Sequence, residues 1–323
     1  MPVEFTGING RLARVAARVY AAAQHWHRVA QRRRQQVQPP VPTISIGNIT
    51  AGGSGKTAMV AYIAERLQQW GHQPAVISRG YLARIPGPAP VPADASPLDY
   101  GDEAVMLRRR GIPVWIARER EAAVLPAAEQ ADVLLLDDGF QRITIARDMD
   151  LVGIGPHGLG NGELLPAGIL REPLDALRRA DALFGNIAAV PSGLMGDLPR
   201  FDCAVRGVAF TPQAPPPGAQ LAALAAIAYP SVFFQTLRSQ GIRLADTCAL
   251  PDHDPLHPDW LRPRIKRWRQ AGLDGVVVTA KDAVKLPPAF ETLPIYTAHA
   301  DFGPADANTE QAFEQFIRRR LRL

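Results

Sequence analysis

The sequence predicts an α/β fold: a parallel sheet domain covered by helices on both faces, with an amphipathic helix before it and a second, smaller α/β domain after it. Three observations carry this. The apolar segment "VPTISIGNI" runs into the glycine-rich "TAGGSGKT" and then into "AMVAYIAERLQQW", whose apolar residues recur at helical spacing. "ADVLLLDDGF" delivers four apolar residues, Val133 to Leu136, into a pair of carboxylates. Between and beyond these, strand and helix patterns alternate, the order that buries a parallel sheet on both sides.

The first element is a helix within residues 1–36. Leu12, Val15, Ala16, Val19, Ala22, Ala23, Trp26, Val29 and Ala30 fall three and four apart, while Arg11, Arg14, Arg18, Arg28, Arg32, Arg33 and Arg34 face a single acid, Glu4. The whole positive excess of the chain, +5, lies in this stretch. A basic amphipathic helix with an interfacial Trp suits an anionic membrane surface; the alternative is a helix that packs its apolar stripe on the domain behind it. No run reaches the roughly 18 to 20 apolar residues that span a bilayer. The rest of the chain is near neutral, which argues against a nucleic-acid partner.

After the connector "QPPVPT" come the strand, loop and helix around "TAGGSGKT", then a strand in "QPAVISRGY". Residues 82–99, dense in Pro, Ala and Asp, read as an exposed, mobile loop. A helix over "DEAVMLRRR" follows, with strands at "PVWIA", "DVLLLDDG" and "DLVGI". The pattern thins between 186 and 220, where "TPQAPPPGAQ" is rich enough in proline to be a linker. The second unit holds "LAALAAIA", a helix "PSVFFQTLRSQG", a loop containing "PDHDP", a helix "LRPRIKRWRQAG", a strand "GVVVTA" and a closing helix "TEQAFEQFIRRRLRL". The expected division is 1–36, 37–205 and 206–323. Apolar (47%) and charged (21%) fractions are those of a folded soluble chain, and two cysteines, Cys203 and Cys248, exclude a disulfide framework.

The chemistry starts at Thr50, Ala51, Gly52, Gly53, Ser54, Gly55, Lys56 and Thr57. The strict phosphate-loop pattern has glycine where this chain has Thr50, a position that eases the exit from the strand and makes no phosphate contact. Gly52, Gly53 and Gly55 leave backbone N–H groups free to turn around phosphates, Lys56 reaches the β- and γ-phosphates, and the Thr57 hydroxyl offers a Mg²⁺ ligand. The reading is a P-loop NTPase-like domain; the alternative is a glycine-rich turn. Asp137 and Asp138 sit at the carboxyl end of a buried strand, where ligands bind in open parallel sheets, and can complete a metal site or cap a helix. Asp102 opens a helix and is either an N-cap or a base. His253, between Asp252 and Asp254, is either a surface histidine or one poised to activate an acid.

"GNITAGGSGKT", "ISRGY", "YGDEAVML", "LLLDDGFQ", "GNGELLPAGILREPLDALRRADAL", "PDH" and "VVTAKDAVKL", in order from residue 47 to 286, resemble the tetraacyldisaccharide 4'-kinases of lipid A biosynthesis. The resemblance implies transfer of the ATP γ-phosphate to the 4'-hydroxyl of a tetraacyldisaccharide 1-phosphate at the cytoplasmic face of a bacterial inner membrane, by a peripheral or monotopic protein with no obligatory protein partner. It implies that the loop holds ATP, that Thr57, Asp137 and Asp138 serve Mg²⁺, that Asp102 accepts the hydroxyl proton with help from His253, and that Arg79, Tyr81, Gln141, Arg171 and Glu172 face the lipid headgroup. Four positions depart from the family: Arg142 stands where His is usual, Ala58 for Pro, Ala226 for Gly and Ala280 for Glu.

Two other classes compete. A nucleotide switch that reads guanine wants N/T-K-x-D, whereas Lys281 adjoins Asp282 directly in "TAKDA". A soluble small-molecule kinase leaves the basic helix without a role.

Overall fold

The computed structural model describes residues 7–191, 193–194, 196–286 and 293–322. Residues 1–6 of the expected N-terminal segment, Glu4 among them, lie outside the described residues. Helix α1 (Gly7–Arg32) precedes β1 (Thr43–Gly47), the glycine-rich loop and α2 (Lys56–Gln69). Then come β2 (Pro74–Ser78), β3 (Ala89–Pro90), the short α3 (Pro97–Tyr100), α4 (Asp102–Arg109), β4 (Val114–Ile116), α5 (Glu121–Ala128), β5 (Val133–Asp137), β6 (Met149–Ile154) and β7 (Ala182–Gly185). The second half holds β8 (Arg200–Thr211), β9 (Gln220–Ala225), α6 (Pro230–Ser239), β10 (Arg243–Ala249), α7 (Pro258–Gln270), β11 (Gly275–Thr279), α8 (Ala280–Ala283), β12 (Ile295–Pro304) and α9 (Ala307–Leu321).

All the strands join one sheet in the order β10-β9-β11-β12-β8-β7-β6-β1-β5-β2-β4-β3. Neighbours are parallel except β12 with β8 and β3 with β4. The β8–β12 ribbon thus separates a first lobe around β1 from a second lobe around β9 and β11. Parallel strands are covered on both faces, and β1, β5 and β6 accordingly have no exposed residue, the polar Thr43, Ser45 and Asp150 included. Gly47, which ends β1, lets the turn after β5 approach: a Cβ there would stand 2.7 Å from the Phe140 backbone nitrogen.

Three features differ from the expectation. The boundary placed at 205/206 falls inside β8, and α9 buries Phe313, Ile317 and Leu321 in the core of the first lobe, with Met59, Ile63 and Leu67 of α2. Residues 82–99 lie largely at the surface, as expected, but are tied down: Ala83, Val91 and Ala95 are buried, and Val91 N donates to the Val114 carbonyl at 2.8 Å. Proline density there reports turns, while single apolar anchors tie the segment down. Lastly, α1 turns toward the first lobe the face that carries Ala13, Ala17, Tyr20, Ala21, Gln24 and Arg28. Leu12, Val15, Val19 and Trp26 remain 58–69% exposed, and the expected alternative, a stripe packed on the domain, is overturned.

Candidate functional site

The phosphate loop leaves β1 through Asn48, whose side-chain amide donates to the Thr50 carbonyl at 2.7 Å, and Ala51 N donates to the Ile169 carbonyl at 2.7 Å. Thr50 is buried and bridged to Leu170; this residue anchors the loop where the strict pattern has glycine. Gly52 and Gly55 take φ of 96° and 78°, the left-handed region that favours glycine. The second lobe crowds one and the ribbon the other: a methyl group on Gly52 would meet Tyr229 Cζ at 2.9 Å, and one on Gly55 would meet Phe302 Cζ at 2.8 Å. Lys56 and Thr57 begin α2, where helix N–H groups lack partners and attract anions. The Ser54 hydroxyl is buried with no partner among the described residues.

Asp137 ends β5 and Asp138 follows it at φ 51°. The two carboxylates are differently placed. Asp138 accepts from the Arg171 guanidinium at 2.9 and 3.2 Å and stands 3.7 Å from Lys56 Nζ. Burial alone would favour its neutral form, but Lys56 and Arg171 outweigh it and hold its pKa well below the usual range. Asp137 has an oxygen buried with no protein partner, and burial, then the charges of Glu103 and Asp138, push it up to about 7. Arg120 is buried beside both; burial lowers its pKa while the two aspartates oppose that.

Asp102 and His253 meet from opposite lobes. His253 Nδ1 lies 3.0 and 3.2 Å from the two Asp102 oxygens. Its Nε2 lies 3.1 Å from Lys281 Nζ. An ammonium only donates, so Nε2 accepts, and Nδ1–H points to Asp102. Lys281 also pairs with Glu103 at 3.2 Å and Asp252 at 2.9 Å, and Lys285 stands 3.8 Å from Asp102 and 2.9 Å from Asp282. Burial favours protonation of Asp102, yet the hydrogen bond from His253 and the lysine charges prevail and lower its pKa. For His253 burial favours the neutral ring, and Asp102 outweighs it, so its pKa is raised. The histidine sits at φ 62°, a conformation rare outside glycine and kept at functional sites when the surroundings impose it. The hydrogen bond from His253 N to the Ala226 carbonyl does so here, at 3.2 Å. Asp102 is not an N-cap: Gly101 takes the cap position, and Asp102 is the first residue of α4.

The five residues expected at a headgroup divide. Arg79 and Tyr81 follow β2 and are exposed, with the Tyr81 ring 4.8 Å from that of His253. Arg171, Gln141 and Glu172 are engaged inside the protein: Gln141 donates to the Asn48 carbonyl at 2.7 Å and to Glu172 at 2.9 Å, and Glu172 is 1% exposed. Arg142 is spent on Glu119 and Glu121. Sequence reasoning missed Lys281, Lys285, Asp282, Arg120 and Tyr229. The first three were findable, since "GVVVTAKDAVK" carries charged residues off the end of a buried strand just as "VLLLDD" does.

Comparison with known proteins agrees with this architecture. The family model described as Tetraacyldisaccharide-1-P 4'-kinase matches residues 10–322. A curated tetraacyldisaccharide 4'-kinase from Halorhodospira halophila is 40% identical over 76% of this chain and 74% of its own length. One from Dinoroseobacter shibae is 35% identical over 98% of this chain and 97% of its own length. A crystal structure of LpxK from Aquifex aeolicus in complex with ATP matches with a TM-score of 0.74 at 25% identity, covering 94% of this chain and 97% of that one. With the family model spanning nearly its whole length, this chain belongs to the tetraacyldisaccharide-1-P 4'-kinase family.

Proposed function

We propose that this chain transfers the γ-phosphoryl group of ATP to the 4'-hydroxyl of tetraacyldisaccharide 1-phosphate, with Asp102 as the base. The observation that carries the reading is the Asp102–His253 pair, assembled from both lobes beside a phosphate loop. A nucleotide switch has no use for such a pair.

The side chains present fit a magnesium ion: Asp137 offers a buried oxygen without a protein partner, and Thr57 stands at the start of α2. Thr57 and Asp137 would hold the ion, with Asp138 behind them, already bound by Arg171 and Lys56. When bound, magnesium neutralises charge on the β- and γ-phosphates. Lys56 and the loop N–H groups do the same from the protein side, and oppose the charge that gathers on the leaving oxygen. Phosphoryl transfer has a loose transition state in most analyses, so the hydroxyl keeps its proton until late and a carboxylate is a strong enough base. His253 and Lys281 keep Asp102 charged and oriented for that proton. Tyr229 and Phe302 stand against Gly52 and Gly55 of the loop. Arg79 and Tyr81, open at the mouth beside His253, are the side chains available to the anionic headgroup.

The test is transfer from γ-labelled ATP to tetraacyldisaccharide 1-phosphate. Labelled 1,4'-bisphosphate is the expected product, and active nucleotide binding without lipid labelling would remove the assignment.

We further propose that the protein lies on the cytoplasmic face of the inner membrane through α1. No helix among the described residues is long and apolar enough to cross a membrane, and the outward stripe of Leu12, Val15, Val19 and Trp26 is flanked by exposed Arg11 and Arg18. Replacing Leu12, Val19 and Trp26 together by Ser is expected to cut recovery on phosphatidylglycerol-containing vesicles by at least tenfold, because each buried large side chain contributes about 1.5–3 kcal/mol. Undiminished recovery in a sedimentation assay would refute that orientation.

A further inference from the structure

The side of α1 that meets the first lobe mixes alanines with Tyr20, Gln24 and Arg28, and the contacts of its polar residues lead to the phosphate loop. The Tyr20 hydroxyl donates to the Arg171 carbonyl at 3.2 Å. The guanidinium of that same Arg171 holds Asp138 and donates to Asn48 Oδ1 at 3.0 Å. One residue on, Arg28 donates to Glu172 Oε2 at 3.0 Å, and the other oxygen of Glu172 accepts from Gln141, which donates in turn to the Asn48 carbonyl. Asn48 leads into the loop, and Lys56 at its far end faces Asp138 at 3.7 Å. Two unbroken runs of polar contacts therefore join α1 to the loop, one through Arg171 and one through Glu172.

Membrane attachment requires none of this. The outward stripe supplies it, and a seat made only for anchorage would be apolar. Instead the seat contains Glu172, a carboxylate almost wholly out of water, whose desolvation has to be offset by cations in fixed positions. Arg179 of the first lobe supplies one, at 3.0 Å, and Arg28 of α1 supplies the other. A buried ion pair between elements costs more than apolar packing and fixes their register more sharply. The register fixed here is that of the Arg171–Glu172 step relative to Asp138 and Asn48.

We propose that Tyr20 and Arg28 are positioning residues for phosphoryl transfer, so that the seating of α1 is felt at the phosphate loop. This rests on the kinase reading above. The reacting groups tolerate little displacement: a misplacement of about 1 Å by a remote change can cost up to 10²-fold in rate. Losing Tyr20 and Arg28 frees the Arg171 carbonyl and half of the Glu172 clamp, and the loop loses definition at Asn48 and Asp138.

The experiment uses the full chain with Tyr20→Phe and Arg28→Met combined, and Arg28→Lys alone. Three quantities are read: recovery on phosphatidylglycerol/phosphatidylethanolamine vesicles, ATP affinity by calorimetry, and kcat and acceptor KM for transfer in detergent micelles, where attachment is not limiting. For the double variant the expected result is unchanged vesicle recovery, ATP bound several-fold more weakly, kcat lowered about tenfold and acceptor KM within twofold. Arg28→Lys, which keeps the charge, should stay within threefold of the wild type. Unchanged kcat and ATP affinity in the double variant overturn the proposal. So does a loss of activity that tracks lost vesicle recovery, or one equally large in Arg28→Lys. If the wild type binds ATP but labels no lipid, the acceptor assignment fails, and the ATP affinity of the double variant alone decides the coupling.

Discussion

Asp102→Asn is expected to lower kcat by about 10²–10⁴-fold, the range that a positioned base contributes, while ATP affinity stays within a few-fold of the wild type. Asn has the same shape and still accepts from the Glu103 backbone N–H, a bond of 2.9 Å in the native protein, so α4 keeps its start. What disappears is the capacity to take a proton. The buried charges around it survive the change, because Lys281 retains Glu103 and Asp252, and Lys285 retains Asp282. At about 1.4 kcal/mol per tenfold, the loss corresponds to roughly 3–5 kcal/mol of transition-state stabilisation. Steady-state transfer kinetics and nucleotide calorimetry on the same preparation separate the two effects. Near-normal kcat in Asp102→Asn would place the base elsewhere; a collapse of ATP affinity would make the residue part of the nucleotide site.

Lys56→Met should cost about 10²–10³-fold in transfer, as loss of a preorganised charge at the reacting phosphate does, and should weaken ATP binding as well. The two variants are thereby distinguishable: in the proposed mechanism Asp102 acts on the acceptor's proton, Lys56 on phosphates present in both ground and transition states. Methionine matches the length of the lysine stem and leaves the first turn of α2 intact. It removes the cation 3.7 Å from Asp138, whose charge then depends on Arg171, with Arg120 close by. A kcat and an ATP affinity both within threefold of the wild type would deny Lys56 its role.

How much of this was legible in the sequence varies with burial. Strands β1, β5 and β6 are read at once because both their faces are covered and apolar residues dominate them, four in a row in β5. Strand β8, "RFDCAVRGVAFT", gives no such signal: it lies in the ribbon between lobes with most of its residues partly or fully exposed, so nothing enforces an apolar period. β10 is an edge strand and equally faint. At the site, the loop and Asp137–Asp138 follow from local pattern, since strand, turn and helix are contiguous. The meeting of Asp102 with His253, 151 residues apart, has no local signature; family resemblance supplied it where residue chemistry had favoured neither role. Glu172, expected at the headgroup, is 1% exposed: a sequence motif shows that residues act together without showing which way they point.

The return of α9 to the first lobe bears on how the chain is made. The P-loop lobe begins near residue 43, but Phe313, Ile317 and Leu321, which complete its core, are translated only after the whole of the second lobe. The usual order, in which the N-terminal unit folds first during synthesis, therefore leaves this core incomplete until α9 has been made. The second lobe, whose strands β9, β10 and β11 need nothing earlier in the chain to pair with one another, can form first, while the nascent nucleotide-binding half waits with an open apolar groove between α2 and the sheet. Until α9 has been made, Met59, Ile63 and Leu67 lack the cover that Phe313, Ile317 and Leu321 give them.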